Sequence, residues 1–260
     1  MRKISIVMTY YDRKEQLNRT LLSLKQSAHD NFNVIIVDDA SPKKLIINRD
    51  YGYKIDVINV KDKNWSNPDI AYNIGLNFAI KEYNPEIVII QNAECCHVGD
   101  VIKYCENITD NDYISFGCYS LAKGETPSNV SMNHQGMTFD GESAWYNHPV
   151  FRIMPFDYCS AITAKNMVKL NGYDELFSFG YGYGDDYLLY RIRLLGLKIE
   201  IPSNPFVFHQ WHNNRFKKAV NCKQYLTEPN TKRYNFNQKI YELLTKENTV
   251  RANHFYTENL

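Results

Sequence analysis

Four polar clusters in this 260-residue chain carry side chains able to do chemistry. The run Ile87-Val88-Ile89-Ile90 breaks abruptly into Gln91-Asn92-Ala93-Glu94-Cys95-Cys96-His97, so a lone carboxylate follows four β-branched residues. Such a run reads as a strand buried on both faces, and a polar cluster at the carboxyl end of a parallel strand is where open α/β sheets bind ligands. A buried strand followed by a plain surface turn has the same pattern. A second apolar run ends in Asp38-Asp39-Ala40-Ser41-Pro42, where an Asp pair can also cap a helix or turn. Asp185 and Asp186 follow Gly180-Tyr181-Gly182-Tyr183-Gly184 at the start of a helical pattern, where acidic residues also complement a helix N-terminus. The fourth cluster, Phe208-His209-Gln210-Trp211-His212, carries two imidazoles, which are also common as core histidines satisfied by backbone. The six cysteines lack paired metal spacing, and adjacent Cys95 and Cys96 cannot easily chelate one ion.

The elements that must position these residues alternate in type. Residues 3–9 form a first strand, 10–13 a polar loop, and Leu17, Leu21, Leu22 and Leu24 recur at helical spacing to about residue 27. Residues 33–37 form the next strand, giving a β-α-β unit with a right-handed crossover. Residues 55–60 form a third strand. Pro68 sits where a helix can begin, with Ile70, Ile74, Phe78 and Ala79 on one face. Small Ala71 and Gly75 permit that helix to approach the sheet or a ligand closely. Strand 87–90 is followed by a helix over 98–105 and a strand over 112–118. Residues 121–149 form the least regular stretch, and long loops in compact domains are usually functional or mobile. Residues 161–170 read as strand then helix, 185–195 as helix, 197–201 as the last strand of the core, and 232–246 as a charged terminal helix. The pattern predicts an α/β fold.

The net charge of +1 gives no bulk attraction to nucleic acid or anionic membrane, so no nucleic-acid partner is expected. Tyr is abundant, with 20 residues, and offers a flat apolar face plus a hydroxyl that suits sugars and bases; compositional bias alone gives the same count. No apolar run reaches the length of a transmembrane span and no signal-peptide core precedes the first strand. These features predict a cytoplasmic protein with free thiols, in which the glycosylation patterns at Asn107 and Asn129 are chance.

The order of these pieces resembles a GT-A glycosyltransferase of the family 2 type over roughly residues 3–212. The resemblance rests on Ser5-Ile6-Val7-Met8-Thr9-Tyr10-Tyr11-Asp12-Arg13 and on Val37 to Ser41. It continues in Asn171-Gly172-Tyr173-Asp174-Glu175, in the Gly-aromatic run through Asp185-Asp186 to Arg191, and in Phe208-His209. It implies a GT-A fold, a mostly parallel central sheet flanked by helices. The catalytic domain would span 1–212, with a nucleotide-binding half at about 1–105 and an acceptor half at about 106–212. A C-terminal helical extension would cover 213–260.

The resemblance also implies roles. A nucleotide-sugar donor would be held by Thr9, Tyr11, Asp39 and Asn73, with Asp39 accepting from uracil or ribose and Tyr11 stacking on the base. The family's Asp-x-Asp would fall on Asn92-Ala93-Glu94, where one carboxylate has become an amide. A divalent cation, Mn²⁺ or Mg²⁺, would be held by Glu94 with His209 and His212, imidazole favouring Mn²⁺. Tyr72 stands where similar enzymes carry Arg, so either Arg13 or a later Lys or Arg would substitute, or the donor would be held differently. The glycan or saccharide acceptor would lie against Tyr181, Gly182 and Tyr183, with the loop at Trp145 closing over it and Tyr158 and Cys159 nearby. Asp185, or in the alternative register Asp186, would be the general base of an inverting transfer. Gly184 replaces the Glu of the family's Glu-Asp pair. Two other functions compete. One is a non-catalytic nucleotide-sugar-binding module, suggested by the incomplete Asp-x-Asp. The other is a sugar nucleotidyltransferase, disfavoured because 10–13 lack the glycine of a phosphate loop. Donor sugar, acceptor, linkage and oligomeric state are not legible in these residues.

Overall fold

A computed structural model describes residues 1–132, 143–212 and 228–256. β1 (Ile4–Tyr10), β2 (Phe32–Asp38), β3 (Lys54–Asn59) and β4 (Ile87–Asn92) run parallel, with α1 (Lys14–Leu24) and α2 (Asp69–Phe78) among their connections. Their sheet, among the described residues, has the order β10-β6-β9-β4-β1-β2-β3, with β6 at Asp112–Ser115, β9 at Cys159–Thr163 and β10 at Lys198–Glu200. β9 is antiparallel to both neighbours, so its amino end opens on the edge where the parallel strands end.

The strands form because their residues are buried on both faces: Val34 to Val37 and Ile87 to Ile90 are wholly inaccessible. Leu17, Leu21 and Leu24 of α1 cover one face. α2 covers the other with Tyr72 and Leu76, followed by Ala79 just beyond its end; of the expected face Ile70 and Ala79 are buried, while Ile74 and Phe78 stay only partly buried. Gly75 makes this packing close, since a Cβ there would lie 2.5 Å from Val7 Cγ1 and 3.0 Å from Val37 Cγ2. A π-helical turn, Ala79–Tyr83, extends α2.

Three other expectations are corrected. The helix expected over 98–105 is confined to α3 (Val101–Cys105), and Val98 instead ends β5 (Cys95–Val98). The strand expected over 112–118 divides at Phe116 into β6 and β7 (Gly117–Ser120), which join different sheets. Chain beyond β10 adds β11 (Phe206–His209), which with β5, β7 and β8 (Ala144–Asn147) builds a smaller sheet of order β5-β11-β7-β8. Trp145, expected in a loop, is therefore in a strand; it is 2% exposed and packs on Tyr119 and Phe206. Part of the irregular stretch, 133–142, lies outside the described residues, as does 213–227 of the expected extension.

α4 (Ala164–Leu170) ends in left-handed Asn171 and Gly172, and the buried Arg191 of α5 (Gly184–Leu194) donates to the carbonyls of Leu170 and Gly172. α6 (Glu228–Glu247) packs Ile240 and Leu244 against Phe177 and Tyr187. No helix among the described residues is long and apolar enough to cross a membrane.

Candidate functional site

The carboxyl ends of β1, β2 and β4 meet on one edge, with Thr9 in register with Val37 on one side and Asn92 on the other. The two members of the Asp pair do different work. Asp38 accepts from the amides of Ser41 (3.0 Å) and Leu45 (2.8 Å), so it holds the turn that left-handed Ala40 makes. Asp39 instead pairs with Lys63 and accepts from Trp65 Nε1 at 3.0 Å. Lys63 Nζ also lies 5.2 Å from the centre of the Tyr11 ring. Asp39, Tyr11, Lys63 and Trp65 thus form an aromatic and acidic corner beyond β2.

Glu94 is the centre of a second cluster. Its carbonyl accepts from the backbone and side-chain amides of Gln210 at 3.1 and 3.0 Å. Antiparallel pairing sets His209 opposite Cys95, so β5 and β11 together bring Glu94 and the histidines into one place. His209 Nε2 and His212 Nε2 each lie 3.4 Å from Glu94 Oε1, and Arg13 reaches the same oxygen. Burial alone would push the Glu94 carboxyl up, but hydrogen bonds from His209 and His212 and the Arg13 charge outweigh it and hold it well below the usual carboxylate range. His209 is pushed down by burial, against the pull of Glu94. The three ligand atoms lie within 4.8 Å of one another. One carboxylate oxygen and two imidazole nitrogens suit a divalent cation of the Mn²⁺ kind, so the residues fit such an ion. The rings of Tyr146 and Tyr158 stand 5.5 and 5.7 Å from that of His209 and wall this side. Cys159 is wholly buried in β9, with its thiol donating to Gln91 Oε1 at 3.6 Å.

The third cluster is acidic. Asp185 and Asp186 open α5, Asp157 precedes β9, and Asp69 opens α2. Asp186 is pushed up to about 7 by burial and by the charge of Asp185, and Asp157 reaches about 7 for the same two reasons. Burial also raises Asp185, and it raises Asp69 well above the usual range with help from Asp185 and Asp157. Each carboxyl in this cluster resists ionisation because burial, joined at Asp69, Asp157 and Asp186 by acidic neighbours, disfavours the charged form. Gly184 is required by this crowding, because a Cβ there would lie 1.9 Å from Asp69 Oδ1.

Tyrosines connect the clusters. Tyr72 donates to Asn92 Oδ1 at 2.8 Å and stacks on Tyr173 with centroids 5.1 Å apart, and Tyr173 donates to Asp157. Tyr72 therefore fills its position by hydrogen bonding and stacking, while the cation at the Glu94 cluster is Arg13.

Several expected residues stand elsewhere. Asn73 does not face a donor site; it is buried, donates to Tyr173 O and Glu175 Oε1, and accepts from the Tyr173 amide. Tyr183 turns to α6, donating to the Tyr234 hydroxyl at 3.0 Å with its ring against Tyr234 and Tyr241. The Gly182 carbonyl is taken by Asn67 and Asn237. Both belong to the packing of the loop rather than to an open acceptor face. Trp145 lies inside the small sheet, with no open face for an acceptor. Lys63, Trp65, Asp69 and Asp157 were not expected from sequence. Each follows a parallel strand, opens α2, or precedes the antiparallel strand on the same edge, and that shared position is the signal that could have found them.

Residues 5–162 match the model of glycosyl transferase family 2, and residues 158–213 match that of the N-terminal domain of galactosyltransferase. An uncharacterized glycosyltransferase of Haemophilus influenzae is 28% identical over 138 residues, which is 52% of this chain and 42% of that protein. The chain thus spans less than half the length of that relative. TarS 1–349 of S. aureus in complex with UDP is similar in structure, with TM-score 0.54 and 14% identity over 80% of this chain and 60% of that one. GalNAc-T7 with UDP, GalNAc and Mn²⁺ gives TM-score 0.61 and 14% identity over 95% of this chain and 50% of that one. At such identities the structural likeness carries the fold, and the expected GT-A architecture is borne out. With the family model covering more than half of its length, the chain belongs to glycosyl transferase family 2.

Proposed function

We propose that the protein is an inverting glycosyltransferase that moves a sugar from a nucleotide donor, UDP-linked, to a hydroxyl of a saccharide or glycan acceptor. The observation that carries this reading is the convergence of Glu94, His209 and His212 within 4.8 Å beside the strand ends that hold Asp39. β2 and β4 flank β1, so Asp39 and Glu94 sit beyond strands two spacings apart, roughly 10 Å. A nucleoside diphosphate spans that gap with its base against Tyr11 and Asp39 and its diphosphate at Asn92–Glu94. Glu94, His209 and His212 would hold a divalent cation, which would supply positive charge for the diphosphate.

Asp185 takes the proton of the acceptor hydroxyl. The hydroxyl oxygen bonds to the anomeric carbon on the face opposite the nucleotide, the bond from that carbon to the diphosphate oxygen breaks, and its electron pair leaves with the diphosphate. Configuration inverts in the single displacement. Burial suits Asp185 to this task, because a raised carboxyl is a stronger proton acceptor once ionised. The free, buried cysteines of the described residues suit a reducing compartment, and we assign the enzyme to the cytoplasm. NMR of the first product formed from an α-linked UDP-sugar tests the reading; a β-linked product is expected, and an α-linked product refutes inversion.

A further inference from the structure

Three groups converge on one oxygen of Glu94, and one of them carries a fixed charge. Arg13 Nη1 donates to Oε1, the atom that both histidine Nε2 atoms face at 3.4 Å. The backbone carrying Arg13 is tied to the segment carrying the histidines. Gln16 of α1 donates to the Trp211 carbonyl at 3.0 Å, and Arg19 donates to Gln210 Oε1. The guanidinium itself is at the mouth of the cluster: its side chain is 28% exposed, against 4% for Glu94.

A divalent cation on Glu94 Oε1 and a guanidinium on the same oxygen repel each other. The histidines adapt to a metal by presenting a lone pair, but arginine cannot lose its proton. It must move. Its long side chain allows that, and a diphosphate offers the bidentate oxygen pair that guanidinium binds best.

We infer that Arg13 is a resident cation that occupies Glu94 until a divalent ion takes its place, after which it turns to the donor's diphosphate. This rests on the proposed nucleotide-sugar site. Arg13 is a positioning residue: it competes with the metal when the site is empty and adds to nucleotide binding when the site is filled. It makes loading cooperative, since metal and diphosphate together displace the ion pair more readily than metal alone.

The test is calorimetric titration of Mn²⁺ alone, and of UDP at saturating Mn²⁺, into wild type, Arg13→Ala, Arg13→Gln and Glu94→Gln, each checked by thermal melting. Arg13→Ala and Arg13→Gln should bind Mn²⁺ alone about 10-fold tighter than wild type and UDP about 10-fold more weakly. Mn²⁺ affinity that is unchanged or weaker in both Arg13 variants overturns the inference, as does a failure of every protein to bind Mn²⁺. Glu94→Gln separates the two readings. If it binds Mn²⁺ as wild type does, the metal site itself is misplaced. If it loses Mn²⁺ while the Arg13 variants gain nothing, only the role of Arg13 fails.

Discussion

Gly184→Ala tests the crowding at the acidic cluster. The added Cβ would lie 1.9, 2.8 and 3.1 Å from Oδ1, Cγ and Oδ2 of Asp69. The whole carboxyl group is in the way, so turning it about its own axis does not clear the space, and Asp69 is buried at the first turn of α2. Either α5 or α2 must shift. Overpacking of this kind costs about 1–3 kcal/mol. In a domain of this size that lowers Tm by about 2–4 °C for each kcal/mol. Asp69→Ala removes the obstacle. In that background Gly184→Ala should be neutral or slightly stabilising, because Ala loses less backbone entropy than Gly on joining the first turn of a helix. Denaturant melts of the four proteins at one pH give the coupling directly, with an expected interaction of roughly 1–3 kcal/mol in favour of the double variant. A Gly184→Ala protein as stable as wild type, or strictly additive effects, would show that Asp69 does not fill the space above Gly184.

Asp185→Asn should lower turnover by about 10²–10⁴-fold with UDP affinity unchanged, and Asp186→Asn should be milder; the reverse ranking in an acceptor assay moves the base by one residue. Stability should fall as pH rises from about 4 towards 7. There the folded Asp157 and Asp186 keep protons that the unfolded chain has released, since both carboxyls sit at about 7 in the fold. Their contribution is fully present below the unfolded carboxyl range and lost above 7, so Asp157→Asn should flatten the slope; denaturant midpoints at pH 5 and 8 that move together in wild type and variant contradict this. Gly75→Ala should cost about 1–3 kcal/mol, because Val7 and Val37 are stiff and wholly buried where its Cβ would lie, and a tolerated substitution in thermal melts would show that α2 packs less closely on the sheet.

The large sheet is legible in the sequence because parallel strands covered on both faces need unbroken β-branched runs, and 34–37 and 87–90 are such runs. The small sheet is not. β5, β7, β8 and β11 are four residues each, and their pairing joins segments as distant as Cys95 and His209. Local periodicity holds no trace of that. The same limit governs the site. Glu94 stands out because a carboxylate interrupts an apolar run, and the histidines follow from resemblance. Which Asp of 38 and 39 faces a ligand depends on the Ser41 and Leu45 amides, which only the fold brings to Asp38. Tyr183 looks like a sugar platform in its glycine-rich run until α6 arrives with Tyr234 and Tyr241. Asn73 looks like a donor contact until the turn after α4 saturates its amide.

The proposed function stands on a cation site at Glu94, His209 and His212 joined to a nucleotide site at Asp39. Isothermal titration of UDP into wild type and Glu94→Ala, each with Mn²⁺ and with EDTA, tests it most directly. Wild type should bind UDP more tightly with Mn²⁺. Glu94→Ala should lose that gain and also melt below wild type while remaining folded, because Glu94 is buried and its loss leaves Arg13 without its ion-pair partner. Equal UDP affinity in Mn²⁺ and EDTA for wild type, or an undiminished Mn²⁺ gain in Glu94→Ala, would contradict the account.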